Sequence, residues 1–247
     1  MPDEIFTAAI LIIGNEILSG RTQDTNVQYL GQGLNELGIR LMEVRVVPDV
    51  EDDIVDAVNA LRSRFDYLFT TGGIGPTHDD ITTACVSKAF GVAVVRDAEA
   101  EKLLLARYKP EDVTEARMKM ADVADGATLI DNPVSAAPGY RIENVFVMAG
   151  VPRIMQAMFD GIKGDLQGGD PVLSKSIEAY IPEGVVAGPL GDLQDQYPDV
   201  DMGSYPFFRE GRLGTCLVAR SPDAARLDAA ADAIEAMVGE LSAETNK

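Results

Sequence analysis

The chain has 247 residues, 46% of them apolar and 25% charged, with a formal charge of −19 at pH 7. Those values exclude a largely disordered chain and leave room for one ample domain or two smaller ones. With so acidic a balance and no Lys/Arg cluster, nucleic acid is not an expected partner, because a phosphate backbone needs a basic stripe.

Residues 8–13 are a continuous apolar run ending at Gly14, the pattern of a strand buried on both faces of a parallel sheet. Asp24 or Thr25 then stands where it can cap a helix that carries Val27, Leu30, Leu34 and Leu37 on one side and stops at Gly38. A second strand is expected over 41–47. Pro48 and Asp49 turn the chain into a helix whose buried stripe is Ile54, Val58 and Leu61. A third strand, 67–70, runs straight into a glycine-rich loop. This βαβαβ succession predicts a parallel sheet with right-handed crossovers and helices on both faces. Helices are expected over 81–90, 97–109 and 111–123. Strands at 128–130 and 145–148 bracket a loop with Pro133, Pro138 and Gly139, and a helix over 153–163 closes the domain. Gln167-Gly168-Gly169-Asp170-Pro171 breaks the pattern and divides a domain of residues 1–167 from one of 168–247, so a chain ending near Asp165 is expected to stay folded. The remainder reads as a small α+β unit. It has a strand at 174–181, a helix centred on 190–196, a hairpin of 204–208 with 213–219, and an alanine-rich helix over 223–241.

The segment Thr71-Gly72-Gly73-Ile74-Gly75-Pro76-Thr77-His78-Asp79-Asp80-Ile81-Thr82 is the candidate site. In an open parallel sheet, ligands sit beyond the carboxyl ends of the strands, where this loop emerges. Gly72, Gly73 and Gly75 permit positive φ and close approach of a phosphate to the main chain. Thr77 and Thr82 offer hydroxyls, and Thr77 or Asp79 can cap the next helix. Asp79 and Asp80 repel a phosphate unless a divalent cation stands between, and magnesium takes one or two carboxylates together with substrate phosphate. The alternative is that both acids only complement the helix dipole. Gly14, Asn15 and Glu16 follow the first strand, and Asn26 opens the first helix. Glu16 is either a third acid of the site or an exposed loop carboxylate, and Asn26 a ligand contact or a structural cap. Gly150 and Pro152 lie just past the strand 145–148, also at a carboxyl end, open to a ligand or starting a helix. His78, the one histidine, is an acid–base candidate or plain polar surface, and it rules out a multi-histidine zinc site. Cys85 and Cys216 fit no ligand spacing and read as reduced thiols; no run spans a membrane, which points to the cytoplasm.

These motifs, in this order, resemble the MoCF (molybdopterin-binding, MogA/MoaB-like) superfamily. The residues that carry the resemblance are Ile13-Gly14-Asn15-Glu16-Ile17-Leu18, Thr22-Gln23-Asp24-Thr25-Asn26, Val46-Val47-Pro48-Asp49, the segment 72–82, Ala137-Pro138-Gly139 and Gly150-Val151-Pro152. CinA-type N-terminal domains and the pterin-binding-like domain of FAD synthases are especially similar, and the part after Asp170 looks like the second domain of the CinA type. The resemblance implies a three-layer, parallel-sheet α/β domain with a smaller α+β domain. It implies that Asp80 is the family's metal-linked aspartate, with Asp79 beside it, and that magnesium, manganese or cobalt is the cofactor. It implies a small nucleotide or pterin phosphate as ligand, with homo-oligomers common. The leading expectation is a metal-dependent pyrophosphatase acting on ADP-ribose or FAD. The alternatives are molybdopterin binding or adenylylation in molybdenum cofactor biosynthesis, and a non-catalytic nucleotide- or pterin-binding protein. Met148-Ala149 and Ile154 depart from the CinA pattern, where Leu-Pro and an acid are usual. Neither the CinA amidase activity nor an adenylyltransferase domain of the FAD-synthase type is expected.

Overall fold

The computed structural model describes residues 5–245. The chain divides into two compact units at the junction of Gly169 and Asp170. In the first, β1 (Phe6–Ile13) is buried on both faces, so its sequence shows no polar alternation. Ala9, Leu11 and Ile13 enter one core and Ala8, Ile10 and Ile12 the other. After a short α1 (Asn15–Leu18), α2 (Asn26–Glu36) packs Leu30 and Leu34 into the second core. Next, β2 (Ile39–Val47) leads to α3 (Glu51–Arg62), whose Ile54, Val58 and Leu61 enter the first core. Then β3 (Tyr67–Thr71) gives way, through the glycine loop, to α4 (Thr82–Phe90), which lies on the same face as α3 and ends at Gly91 with φ 68°. Two helical layers therefore sandwich the sheet.

The stretch after α4 departs from expectation. A strand, β4 (Val94–Arg96), precedes α5 (Ala98–Arg107), which is capped by Asp97 accepting from the amides of Glu99 and Ala100. The expected helix over 111–123 is broken instead. A 3-10 turn at Pro110–Asp112, a four-residue α6 (Glu115–Met118) and a second 3-10 turn at Lys119–Ala121 lead into β5 (Asp122–Ala124). Thr114 restarts the helix by accepting from the Arg117 amide, and Val123 and Ala124 are buried by antiparallel pairing with β4. Tertiary burial outweighs the helix propensity of the run.

The expected loop between residues 130 and 145 likewise holds a strand. After β6 (Thr128–Ile130) comes β7 (Gly139–Ile142), then β8 (Val145–Met148) and α7 (Pro152–Ile162), which packs Met155, Met158 and Phe159 into the second core. The sheet order is β2-β1-β3-β8-β7-β6. The first four strands run parallel, while β7 is antiparallel to both β8 and β6. The first unit continues past Asp165. Leu166 is buried in the second core, Gln167 exchanges two hydrogen bonds with the Tyr67 hydroxyl, and a Cβ on Gly168 would sit 1.8 Å from the Leu37 carbonyl oxygen. A chain ending near Asp165 would give up these contacts, so the end of the first unit lies a few residues beyond that cut.

The second unit is a three-stranded antiparallel sheet in the order β10-β11-β9, made by β9 (Leu173–Ala179), β10 (Asp201–Arg209) and β11 (Arg212–Ser221). Glu210 and Gly211, at φ 54° and 76°, form the two-residue hairpin turn that matches strand twist. One face of the sheet is covered by α8 (Glu183–Gln196) and α9 (Ala224–Thr245), through Val186, Leu190, Leu217, Leu227 and Ile234. The first of these helices, expected to be centred on 190–196, instead ends at Gln196; it begins at Glu183 and runs through Pro189, held by buried Val186 and Leu190. No helix among the described residues is long and apolar enough to cross a membrane.

Candidate functional site

Parallel strands deliver their carboxyl ends to one edge, which brings together the loops after β1, β2, β3 and β8. Contact between them is so close that side chains are excluded. A Cβ on Gly72, whose φ is 104°, would lie 2.1 Å from the Ile13 carbonyl oxygen, and one on Gly150 would lie 3.1 Å from the Gly72 Cα. The glycines thus serve first to let backbone meet backbone. Thr82, expected to bind ligand, is fully buried; its hydroxyl donates to Gly72 O at 2.9 Å and its amide to Gly73 O at 3.0 Å. It shapes the loop and does not face the cleft. Gly72 N is spent on Met148 O, but among the described residues no backbone hydrogen bond engages the amides of Gly73, Ile74 and Gly75. Three successive free amides in a glycine turn are an anion-binding arrangement.

Beyond them, Thr77–Asp80 is a closed turn. Oδ2 of Asp80 accepts from the Thr77 amide at 2.8 Å and from the Thr77 hydroxyl, and the Asp80 amide donates back to Thr77 O at 3.3 Å. The helix expected to be capped by Thr77 or Asp79 instead begins after Ile81 with no side-chain cap, since Thr77 is committed to Asp80. Gly75 leaves just enough room for this carboxylate, because a Cβ there would be 2.7 Å from Oδ2 and 3.0 Å from Oδ1. From outside the turn, Lys119 Nζ donates to Thr77 O and to Asp80 O, both at 2.8 Å.

A cleft of about 480 Å³ opens at this edge. Of the expected site residues, Glu16, Gly72, Gly73, Gly75, Asp80, Gly150 and Pro152 line it. Gly14, Asn15, Asn26, Thr77, Asp79 and Thr82 do not, and each has another place. Gly14 leaves space for the Glu16 carboxylate, which a Cβ would meet at 2.6 Å. Asn15 donates its amide to Asp49 at 2.9 Å, tying the β1 loop to the turn after β2. Asn26 is buried and donates to Gly150 O at 2.9 Å, while among the described residues its own buried Oδ1 has no partner; Asp24, one residue ahead of the N-cap Thr25, caps the first turn by accepting from Val27 N. Asp79 is exposed, its carboxyl held below the usual range by the nearby Thr77 hydroxyl first and by its own backbone second. His78 projects into solvent with 99% of its side chain exposed, which removes it from acid–base work in the cleft.

Residues that the sequence offered only as parts of motif segments, or not at all, also line it. Thr22, Ile74, Pro76, Met120, Ala137, Ala149, Val151 and Ile154 are among them, and all but Thr22 are apolar. Asn132 organises the loop opposite, donating to Ser135 Oγ at 2.6 Å and Ala137 O at 2.7 Å and accepting from the amides of Val134 and Ser135. With Asn132 as donor, the Ser135 hydroxyl keeps its own proton free for a ligand. Ala136 in this loop sits at φ 64°, an uncommon conformation for alanine.

Among the described residues no cluster of three or more Asp, Glu, His or Cys could cage a metal ion. A structural zinc or an all-protein calcium site does not fit. Magnesium-type binding does, because it needs one or two carboxylates and takes its other ligands from substrate phosphate and water. Among the described residues no hydrogen bond engages Oδ1 of Asp80, and Glu16 lines the same cleft. The pair Asp79 and Asp80 does not converge on one point, since only Asp80 faces the cleft.

Residues 9–167 match the family described as "Probable molybdopterin binding domain". The chain belongs to this family. Residues 171–247 match "FAD synthase, middle domain". A protein of Pyrobaculum calidifontis is 38% identical over 211 residues, covering 81% of this chain and 80% of the relative. A "Probable FAD synthase" of Caenorhabditis briggsae is 29% identical, and the match covers 97% of this chain but only 51% of that protein. The crystal structure of CinA from Thermoplasma acidophilum, described as of unknown function, is 33% identical with a TM-score of 0.62. It covers 65% of this chain and 98% of its own. The chain is therefore a CinA-like molybdopterin-binding-domain protein whose second unit is similar to FAD synthase. Ala149 and Ile154, which depart from the CinA pattern, lie in the cleft wall.

Proposed function

We propose that this chain is a metal-dependent pyrophosphatase that hydrolyses ADP-ribose, FAD or a similar nucleotide diphosphate in the cleft at the sheet edge. One observation carries the reading: the cleft pairs free loop amides with two carboxylates, Glu16 and Asp80, and among the described residues no Lys, Arg or His lines it. A diphosphate beside two carboxylates is stable only with a cation between them. Asp80 would hold that ion, with Glu16 as the second carboxylate lining the cleft. Magnesium, manganese or cobalt would supply charge neutralisation and Lewis-acid polarisation of a phosphoryl oxygen.

The chain's own groups would do the rest. Amides of Gly73, Ile74 and Gly75 donate to phosphate oxygens as these gain charge. Glu16 accepts a proton from the attacking water. The water oxygen forms a new P–O bond while the bridging P–O bond breaks, and the leaving phosphate departs with the rest of the nucleotide. Ile74, Pro76, Met120, Val151 and Ile154 offer an apolar wall for a flat ring.

That wall also suits a pterin, so molybdopterin binding or adenylylation is the second reading, favoured by the family description. Mass spectrometry of products separates the two. ADP-ribose or FAD with magnesium should give AMP plus ribose phosphate or FMN, whereas the second reading gives an adenylylated pterin and pyrophosphate from molybdopterin and ATP. A metal-supplemented panel with no turnover, but with a nucleotide or pterin detected by calorimetry, would replace both with a binding role.

A further inference from the structure

We infer that Lys119 is a positioning residue that locks the Thr77–Asp80 turn and so aims the Asp80 carboxylate into the cleft, a role that rests on the chemistry proposed for Asp80. Lys119 Nζ reaches across the chain to the two carbonyls that bracket the turn, Thr77 O and Asp80 O, at 2.8 Å each. Among the described residues it is the only side chain from outside the turn that hydrogen-bonds to it. Within the turn, Pro76, Thr77, His78 and Asp79 are exposed, so packing contributes little to its placement.

The other end of Lys119 is firm. Its neighbours Met118 and Ala121 are buried against Ala100 and Leu104 of α5, which anchors the backbone from which the ammonium extends. An ammonium has three donors and no acceptor, so binding two carbonyl oxygens uses it well and cannot be reproduced by a neutral apolar side chain. Geometry also gives it a division of labour with the cleft. Lys119 lines a small neighbouring cavity of about 110 Å³ together with Gly75, Asp80 and Asp122, and it does not line the cleft itself. Positive charge is thereby held at the carbonyls of the turn and kept out of the cleft, which Asp80 itself lines. Loss of the clamp would free the turn to swing and take Asp80 with it. A misplacement of about 1 Å at a reacting group costs on the order of a hundredfold in rate.

The test uses the full chain with Lys119→Met, which keeps length and loses the donors, and Lys119→Arg, which keeps charge and donors. Hydrogen exchange by mass spectrometry reads the peptide spanning 74–81, and electron paramagnetic resonance reads binding of manganese chloride. In Lys119→Met the 74–81 peptide should exchange about tenfold faster, α4 and α5 should be unchanged, and manganese affinity should fall about tenfold. ADP-ribose turnover should drop in kcat about a hundredfold with KM within a few-fold, and Lys119→Arg should restore most of each loss. Exchange or manganese affinity in Lys119→Met within threefold of the unsubstituted protein would overturn the assignment. So would equal losses in Met and Arg. A native protein that binds no manganese and turns over no ADP-ribose sinks the function proposed above, and the exchange result then decides the Lys119 claim by itself.

Discussion

Adding one methyl group at Gly75 should separate activity from stability. Gly75 does not have a positive φ, so alanine fits its backbone, and the lost flexibility of the unfolded chain adds a few tenths of a kcal/mol of stability. The new Cβ, however, would sit 2.7 Å from Asp80 Oδ2 and 3.0 Å from Oδ1. That is roughly 0.7 Å short of ordinary contact, and Asp80 cannot simply swing aside, because two Thr77 donors hold Oδ2. The carboxylate must shift by about that distance, which at a reacting group corresponds to a rate loss approaching a hundredfold. Gly75→Ala should therefore unfold in urea within about 1 kcal/mol of the native protein while losing most of its magnesium-dependent ADP-ribose turnover. Gly72→Ala is the contrast. Its Cβ would lie 2.1 Å from a carbonyl oxygen at a φ of 104°, so it should cost about 3 kcal/mol or fail to fold. Normal turnover in Gly75→Ala, or equal stability of the two variants, would refute the packing argument.

Removing the cap with Asp24→Ala should lower stability by about 1 kcal/mol in urea titration, through the freed Val27 amide. A chain ending at Gly169 should fold alone, whereas one ending at Asp165 should be less stable by about 3 kcal/mol, from loss of Leu166 and the Gln167–Tyr67 hydrogen bonds. Burial pushes the Cys85 thiol up to about 11, so at pH 8 iodoacetamide should label it only after unfolding. Because that folded-state value is raised, the unfolded chain loses the proton first. Stability present below the ordinary thiol value should decline as pH rises toward 11, and substitution of Cys85 by Ala should remove this part of the pH dependence. With −19 formal charge, fluorescence anisotropy should detect no saturable DNA binding near physiological salt.

Most of the α/β frame was legible because its elements are self-declaring. The unbroken apolar run before Gly14 can be little else than a doubly buried strand, and the stripes on α2 and α3 have helical spacing. What was missed depends on partners distant in sequence. Val94–Arg96 and Asp122–Ala124 are three-residue strands that exist only by pairing with each other, and Gly139–Ile142 is a strand because β8 lies beside it. At the site, the glycines and Asp80 announced the loop but not the division of labour in it. Thr82 looked like a ligand contact until its hydroxyl was found turned to Gly72 O, and Asp79 and Asp80 looked like a pair until only one faced the cleft. Lys119 gave no signal, since a lysine in a polar, helix-forming run is ordinary and its two acceptors lie about forty residues earlier. The apolar lining was only partly visible: Ala149 and Ile154 stood out as departures from the CinA pattern, but Met120 comes from a distant segment that the sheet edge gathers.

The most direct test of the central claim is ADP-ribose turnover by Asp80→Asn across a magnesium titration, with circular dichroism to check the fold. Asparagine keeps the shape and the acceptor for Thr77 but removes the charge that would hold the cation. The account predicts an intact fold, a rate lower by about a hundredfold at saturating substrate, and a magnesium requirement shifted to higher concentration. An Asn variant that matches the native protein in rate and magnesium dependence would contradict it.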